Sequence, residues 1–301
     1  MGVKGGTVVD GLVVVDKPSG VTSHDVVAAV RRLGRVRRVG HAGTLDPMAT
    51  GVLVLGVGRG TRLLTYLSGS DKGYTATIRL GQSTVTDDAE GEITAAVPAD
   101  GVSDDEIRAG LAALTGRIAQ VPSAVSAIKV DGRRAYRRVR AGEAVDLPAR
   151  TVTVHRLDVR AVRRDRPGLV DVDVELACSA GTYVRAIARD LGAALGVGGH
   201  LTALRRTFVD GFTLAEAVTL PELERRAPHV VTLPLAEAAR RRFPQREADA
   251  REVRVLSHGG RLAPAGIAGP YAVFAPDGEV VAIVSERGGA ARPEVVLAPA
   301  G

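Results

Sequence analysis

Asp46 is the residue whose setting most suggests chemistry. It lies in His41-Ala-Gly-Thr-Leu-Asp-Pro-Met-Ala-Thr-Gly51, with the apolar run Val52-Leu-Val-Leu55 directly behind it. Gly43 and Gly51 supply backbone freedom. Pro47 fixes its own φ and turns Asp46 away from helical geometry. The pattern predicts a carboxylate on a stiff loop at the edge of a buried strand, suited to a nucleophile or to a turn cap. His41 opens the same loop, Tyr74 falls in a strand-like run, and Tyr183-x-Arg185 falls at a helix start. Alone, each has an ordinary structural explanation: a capped turn, a core tyrosine, a packed histidine. Together they have a chemical logic. A carboxylate nucleophile must be ionised yet shielded, and an arginine such as Arg185 would hold its pKa down and orient it. The Tyr74 ring can stack on a base and its hydroxyl can move a proton. Enzymes acting on a base inside folded nucleic acid extrude it first, and His41 is placed to occupy the vacated position.

Other chemistries find less support. There is one Cys, Cys178, so a disulfide framework or a Cys-based zinc site within one chain is excluded. That cysteine sits in a strand-like run and reads as packing. No His/Cys/carboxylate cluster has metal-ligand spacing, and no Ser-His-Asp arrangement is evident. Gly56-Val-Gly-Arg-Gly60 lacks the spacing of a dinucleotide loop and the Lys-Ser/Thr of a P-loop, so it reads as a turn before a helix over Thr61–Leu67. Asp87-Asp-Ala-Glu-Gly-Glu92 lacks the calcium-loop pattern and reads as a solvated loop.

The 301 residues carry a net charge of +6, with arginine dominating the positive side. That balance fits a polyanionic partner, although arginine-rich codon usage would give the same composition. Aromatics are 3% with no Trp, so Leu, Val and Ala must fill the core. The N-terminal residues lack an apolar signal region and no run reaches transmembrane length. A soluble, cytoplasmic protein without membrane contact is expected.

Several elements must position these residues. Gly11–Val15 reads as a strand leading to a Pro/Gly turn. Ser23 is placed to cap a helix through Val26, Val27, Val30 and Leu33 that Gly34 ends. Arg31, Arg32, Arg35, Arg37 and Arg38 form a basic run before the Asp46 loop, suited to phosphate contact. Lys72–Leu80 alternates as a strand, and Ser103-Asp-Asp-Glu106 is a capping box for a helix to about Leu114. Gln120–Lys129 is extended, and an Arg-rich short helix containing Tyr136 should follow. Thr151–Val159 and Val170–Leu176 are strands, the latter with Val170, Val172, Val174 and Leu176 inward. A helix carries Tyr183, Val184, Ile187, Leu191 and Leu195 on its apolar side, and Leu201–Arg206 opens another basic segment. Beyond Arg225 come two short helical pieces, a polar link at Phe243–Asp249, and short strands from Glu252 to Pro299 that suggest a small separate β module.

At this level of detail the chain resembles a known family. Lys17-Pro18 with Gly20-Val-Thr-Ser23, Gly40–Leu53 around Asp46, Lys72-x-Tyr74, Leu80-Gly-Gln82, Ser126-Ala-x-Lys129, and Gly181-Thr-Tyr-Val-Arg185 with Asp190-Leu-Gly192 are similar to motifs of the TruB family, the bacterial tRNA pseudouridine-55 synthases. They occur in the family's order over roughly the first two-thirds of the chain. The resemblance implies an α+β fold. Its pseudouridine synthase core would have a mixed, mostly antiparallel sheet flanked by helices, over about 1–232. An RNA-contacting insertion would lie at about 122–147, and a β-rich PUA-like module over 233–301. Val121-Pro-Ser stands where many relatives have two prolines.

The resemblance also implies roles. Asp46 matches the nucleophile, Tyr74 the tyrosine that stacks on uracil and is implicated in proton transfer, and Arg185 the arginine paired with the nucleophile. Tyr183 and Leu204 match pocket residues, His41 the histidine inserted into the T-loop, and Lys17 a cleft-side turn. Arg37, Arg38, Lys129, Arg133, Arg134 and Arg205 are the expected RNA contacts. The implied substrate is a uridine in the T-arm loop of tRNA, isomerised without metal or organic cofactor by a monomer with no protein partner. Attack of Asp46 on ribose C1′ and on the uracil ring are both compatible with the residues. A second reading is a tRNA-binding folding chaperone for which the basic segments matter more than Asp46. A third, glycoside hydrolysis, would need two facing carboxylates, and only Asp46 is placed convincingly.

Overall fold

The computed structural model describes residues 9–123, 129–130, 133–134 and 147–300. In chain order these form β1 (Gly11–Lys17), α1 (Ser23–Gly34), β2 (Val39–His41), β3 (Thr50–Val57), a 3-10 turn (Gly58–Leu63), α2 (Leu64–Ser68), β4 (Lys72–Leu80), β5 (Gln82–Thr84), β6 (Ile93–Ala96), α3 (Asp104–Ala113) and β7 (Gly116–Gln120). Two-residue strands β8 (Lys129–Val130) and β9 (Arg133–Arg134) precede the long hairpin β10 (Arg150–Arg166) and β11 (Leu169–Cys178). Then follow α4 (Val184–Ala194), β12 (Gly199–Val209), β13 (Phe212–Thr213), α5 (Leu220–Arg226), β14 (Leu233–Pro234) and α6 (Leu235–Arg242). The tail holds β15 (Gln245–Glu247), α7 (Ala250–Ser257), β16 (Tyr271–Phe274), β17 (Val280–Arg287) and β18 (Ala290–Val296).

The main sheet runs β14-β1-β3-β12-β4-β11-β10-β7, with β2 and β13 attached at β3 and β12. Every pair in it is antiparallel among the described residues except β3 with β12, joined at Thr50–Arg205 and Gly51–Arg206. The sheet is therefore mixed and mostly antiparallel, as expected. β1 and β3 are apolar on both sides because both faces are covered. Val13, Val15, Leu53 and Leu55 face a core closed by Val26 and Val30 of α1, Ile107 of α3 and Ile187 and Leu191 of α4. Leu12, Val14, Val52 and Val54 face a second core closed by Leu64 and Leu67 of α2, Leu235 and Ala239 of α6, and Phe274, Ile283 and Leu297 of the tail sheet. The tail sheet, ordered β15-β16-β17-β18, also has its own core around Leu256, Tyr271 and Val284.

Local expectations met the structure with instructive differences. β4 runs over the expected span, and in β11 Val170, Val172, Val174 and Leu176 are buried. Thr22, not Ser23, caps α1 through a box with Asp25, and the left-handed residue that ends it is Arg35, not glycine. The expected helix at Thr61–Leu67 begins as a 3-10 turn. Gln245–Glu247 is not a link but a strand parallel to β16. Next to it, Asp249 and Glu252 form a capping box that starts α7, so the stretch from Glu252 begins in a helix rather than in strands. The helix expected around Tyr136 lies outside the described residues.

Candidate active site

The Asp46 loop connects β2 to β3, and its backbone is held from four sides. From the end of β1, the Lys17 ammonium donates to the carbonyls of Pro18 and Val21 in the β1–α1 turn at 2.8 and 2.7 Å and to Pro47 O in the loop at 3.2 Å. From α1, the buried Ser23 hydroxyl donates to Leu45 O at 3.1 Å and accepts from Leu45 N at 2.9 Å. From β12, the Arg206 guanidinium donates to Val52, Thr44 and Gly43 carbonyls at 2.7, 3.3 and 3.2 Å. Within the loop, Ala49 N bonds Asp46 O at 3.1 Å. Gly51 is needed where β12 crosses: its φ is +100°, and a Cβ there would sit 2.1 Å from Arg206 O.

Asp46 points into a cavity of about 280 Å³ together with Tyr74, Tyr183, Arg185 and Leu204. The structure thus brings five of the expected site residues to one cleft, at the junction of β3, β4, β12 and the start of α4. Arg185 Nε lies 3.0 Å from Asp46 Oδ2, and its Nη1 lies 3.4 Å from Asp88 Oδ2. Asp88 is therefore not on a solvated loop: its side chain is 3% exposed and shares the Arg185 guanidinium with Asp46. Asp87, beside it, faces Arg189 at 3.3 Å. Asp88 is not among the cavity-lining residues, so it does not supply the facing carboxylate of a glycosidase.

The electrostatics correct one expectation. Burial pushes the Asp46 carboxyl above the usual aspartate range, and the Asp88 charge adds to that; Arg185 opposes both without overcoming them. Tyr74 sits on β4 opposite Leu176 on one side and Arg206 on the other. Its hydroxyl is pushed up by burial, with Arg206 pulling the other way. Tyr183 is the N-cap of α4 and has no side-chain cap bond of its own. Its backbone is clamped by the buried Gln120 amide, which accepts from Tyr183 N at 2.8 Å and donates to Tyr183 O at 3.1 Å.

Other expected residues lie elsewhere. His41 ends β2, outside the cavity lining, with its ring edge-on to His24 at 5.6 Å. Burial and then His24 lower its pKa, so the ring is neutral at neutral pH. Lys17 is fully buried under the loop and does not reach the cleft surface. Arg37 and Arg38 are exposed on the connector leading to His41. Arg205 is not a free basic contact: its fork grips Asp16 at 3.0 and 2.7 Å. Lys129, Arg133 and Arg134 enter only as the backbone of the β8–β9 ladder. Sequence reasoning passed over Lys72, Arg206, Asp88 and Gln120. Lys72 lies in the Lys72-x-Tyr74 motif and Arg206 in a basic segment, but nothing local marks either as buried.

The mixed sheet is thus crossed by a cleft that holds an arginine-bound aspartate beside two tyrosines. Residues 31–184 match the TruB family pseudouridylate synthase N-terminal domain. Residues 185–232 match the tRNA pseudouridylate synthase B C-terminal domain, and 243–298 the tRNA pseudouridine synthase II C-terminal domain. The chain is 59% identical over 292 residues to tRNA pseudouridine synthase B of Thermobifida fusca, covering 96% of this chain and 99% of that protein. It is 58% identical over 299 residues to the protein of the same name from an Arthrobacter species, covering 96% and 97%. In three dimensions it is similar to a chain in the crystal structure of the archaeal box H/ACA sRNP Nop10–Cbf5 complex. The TM-score is 0.69 and the identity 26%, over 97% of this chain and 87% of that one. The chain belongs to the TruB family of pseudouridylate synthases.

Proposed function

We propose that this chain isomerises a uridine in the T-arm loop of tRNA, at position 55, to pseudouridine. The observation that carries the reading is the Asp46–Arg185 contact of 3.0 Å inside the cleft, on elements that also present Tyr74 and Tyr183. In this reading Asp46 attacks the flipped nucleotide and Arg185 orients it. Tyr74 stacks on the uracil and takes part in proton transfer, while Tyr183 and Leu204 shape the pocket. The base detaches, turns within the cleft and rejoins through carbon 5. His41, neutral and flat, inserts into the T-loop where the base was. Lys17 serves by fixing the loop under Asp46 rather than by touching the nucleotide.

Residues 1–232 form the catalytic domain and 233–301 a PUA-like module that extends the RNA surface. Arg37 and Arg38 approach the RNA beside His41, and Lys129, Arg133 and Arg134 belong to the insertion that closes over it. The enzyme works as a cytoplasmic monomer without metal or organic cofactor. Among the described residues, no helix is long and apolar enough to cross a membrane. A folding role independent of catalysis is not favoured, because the relatives at 58–59% identity over nearly the whole chain are named tRNA pseudouridine synthase B.

The test is Asp46→Asn. It should bind tRNA as the wild type does and form no pseudouridine, read by mapping the modified position in tRNA. Turnover retained at the wild-type rate would remove the nucleophile assignment.

A further inference from the structure

Two cations in the cleft are unused by the mechanism above. Lys72 and Arg206 both line the cavity that holds Asp46 and Tyr74. They are 7% and 1% exposed, so their charges are poorly screened by water. Among the described residues neither is ion-paired with a carboxylate. Lys72 Nζ donates to the carbonyls of Ser68 and Ser70 at 3.2 and 2.8 Å, and Arg206 donates to the three loop carbonyls already described. By contrast Arg185, on the other wall, is committed to Asp46 and Asp88. Gly43 separates the two cations: a Cβ there would lie 3.5 Å from Lys72 Cε and 3.8 Å from Arg206 Nη1.

Burial lowers the Lys72 pKa. Burying two positive charges without an ion-paired carboxylate is costly unless something negative joins them during function. The proposed reaction generates such a species. When the N1–C1′ bond breaks, its electron pair stays on the base, leaving uracil with a negative charge spread over N1 and the two carbonyl oxygens. The Asp46 carboxylate forms a bond to C1′ as the N1–C1′ bond breaks, and that bond breaks in turn, returning its electron pair to the carboxylate, when the ring rejoins. When the ring rejoins, carbon 5 supplies the electrons for the new bond to C1′, the C5 proton leaves, and N1 takes up a proton, so the sum is an isomerisation.

We propose that Lys72 and Arg206 form an electropositive wall of the cleft that stabilises the negative charge of the detached uracil. Lys72 is the contacting group, and Arg206 holds the loop and reinforces the field. Such stabilisation acts on charge that develops during bond breaking, so it should appear in kcat and not in tRNA affinity. The proposal rests on the isomerase reading. If that reading fails, the wild-type enzyme forms no pseudouridine; if only this proposal fails, the wild type is active and the variants below behave otherwise.

The experiment compares Lys72→Met and Lys72→Ala with wild type on tRNA carrying uridine or 5-fluorouridine at the target position, under single turnover. It reads the loss of the N-glycosidic nucleotide, because fluorine replaces the C5 hydrogen whose departure completes the isomerisation. Fluorine makes the ring a better holder of negative charge. Lys72→Met should lose about 10–100-fold in rate on uridine, keep its tRNA Kd within about twofold, and lose several-fold less on 5-fluorouridine. Methylammonium, at constant ionic strength set with tetramethylammonium, should partly restore Lys72→Ala. Equal losses on the two substrates, or a loss confined to tRNA affinity, would overturn the proposal. Should neither variant fold, Lys72→Arg decides: it keeps the charge and should stay within about tenfold of wild type, and a deeper loss in folded Lys72→Arg would overturn it.

Discussion

Asp88 Oδ2 lies 3.4 Å from Arg185 Nη1, so the arginine that orients Asp46 is shared with a second, buried carboxylate. Removing the Asp88 charge has two opposed effects. The Asp46 carboxyl, which Asp88 helps to hold above its ordinary range, should titrate lower, moving the acid limb of the rate profile to lower pH. At the same time Arg185 loses the anchor that fixes its plane. Asp88→Asn should therefore show a rate plateau about 10–100-fold below wild type with an acid limb shifted down, and unchanged tRNA binding. A single-turnover rate measured across pH checks both parts; an acid limb shifted up would contradict the assigned coupling.

Gly51 tests the junction of β3 and β12. Its left-handed φ and the 2.1 Å clash of any Cβ with Arg206 O leave no room for a side chain. Gly51→Ala should destabilise the fold by about 2–4 kcal/mol, visible as a lower denaturation midpoint with an unchanged slope. A neutral result would mean that the two strands can separate locally at no cost.

Lys17 tests the underside of the loop. Burial lowers its pKa from the ordinary lysine range to about 8. Lys17→Met fills the space but leaves three carbonyls without their donor. A loss of about 2–4 kcal/mol in stability is expected, with kcat reduced and tRNA affinity preserved. Affinity reduced in proportion to salt would instead make Lys17 an RNA contact.

The approach to His41 is tested by ionic strength. tRNA affinity should fall steeply with salt, and Arg37→Ala and Arg38→Ala should each lower the slope of log K against log salt by about one unit. A slope unchanged in both variants would move the RNA path away from this connector.

The sequence made legible what depends on neighbours along the chain. The alternation of Val170, Val172, Val174 and Leu176 declared the central hairpin, and the glycines and proline around Asp46 declared a stiff loop. The pairing of Asp46 with Arg185 was suggested by chemical logic and by the family resemblance but not by spacing, because 139 positions separate them, as the two residue numbers show. What escaped was burial created by strands that meet late. Asp88 looked like part of a solvated acidic run because its partner, Arg185, is remote. Arg205 and Arg206 looked alike as neighbours, yet one grips Asp16 and the other lies under the catalytic loop. In the tail, the capping box of Asp249 and Glu252 was in plain view but was outweighed by the Gly- and Pro-broken strands beyond it.

The parallel pairing of β3 with β12 also bears on when the site exists. Arg206 reaches back 154 residues to bond Val52, and its strand is inserted between β3 and β4. A growing chain that already contains Asp46, Tyr74 and Arg185 still lacks the strand that seats their loop. The cleft therefore arrives as a property of the finished sheet: the contacts that seat Asp46 beside Tyr74 and Arg185 are completed only by the closing of the fold.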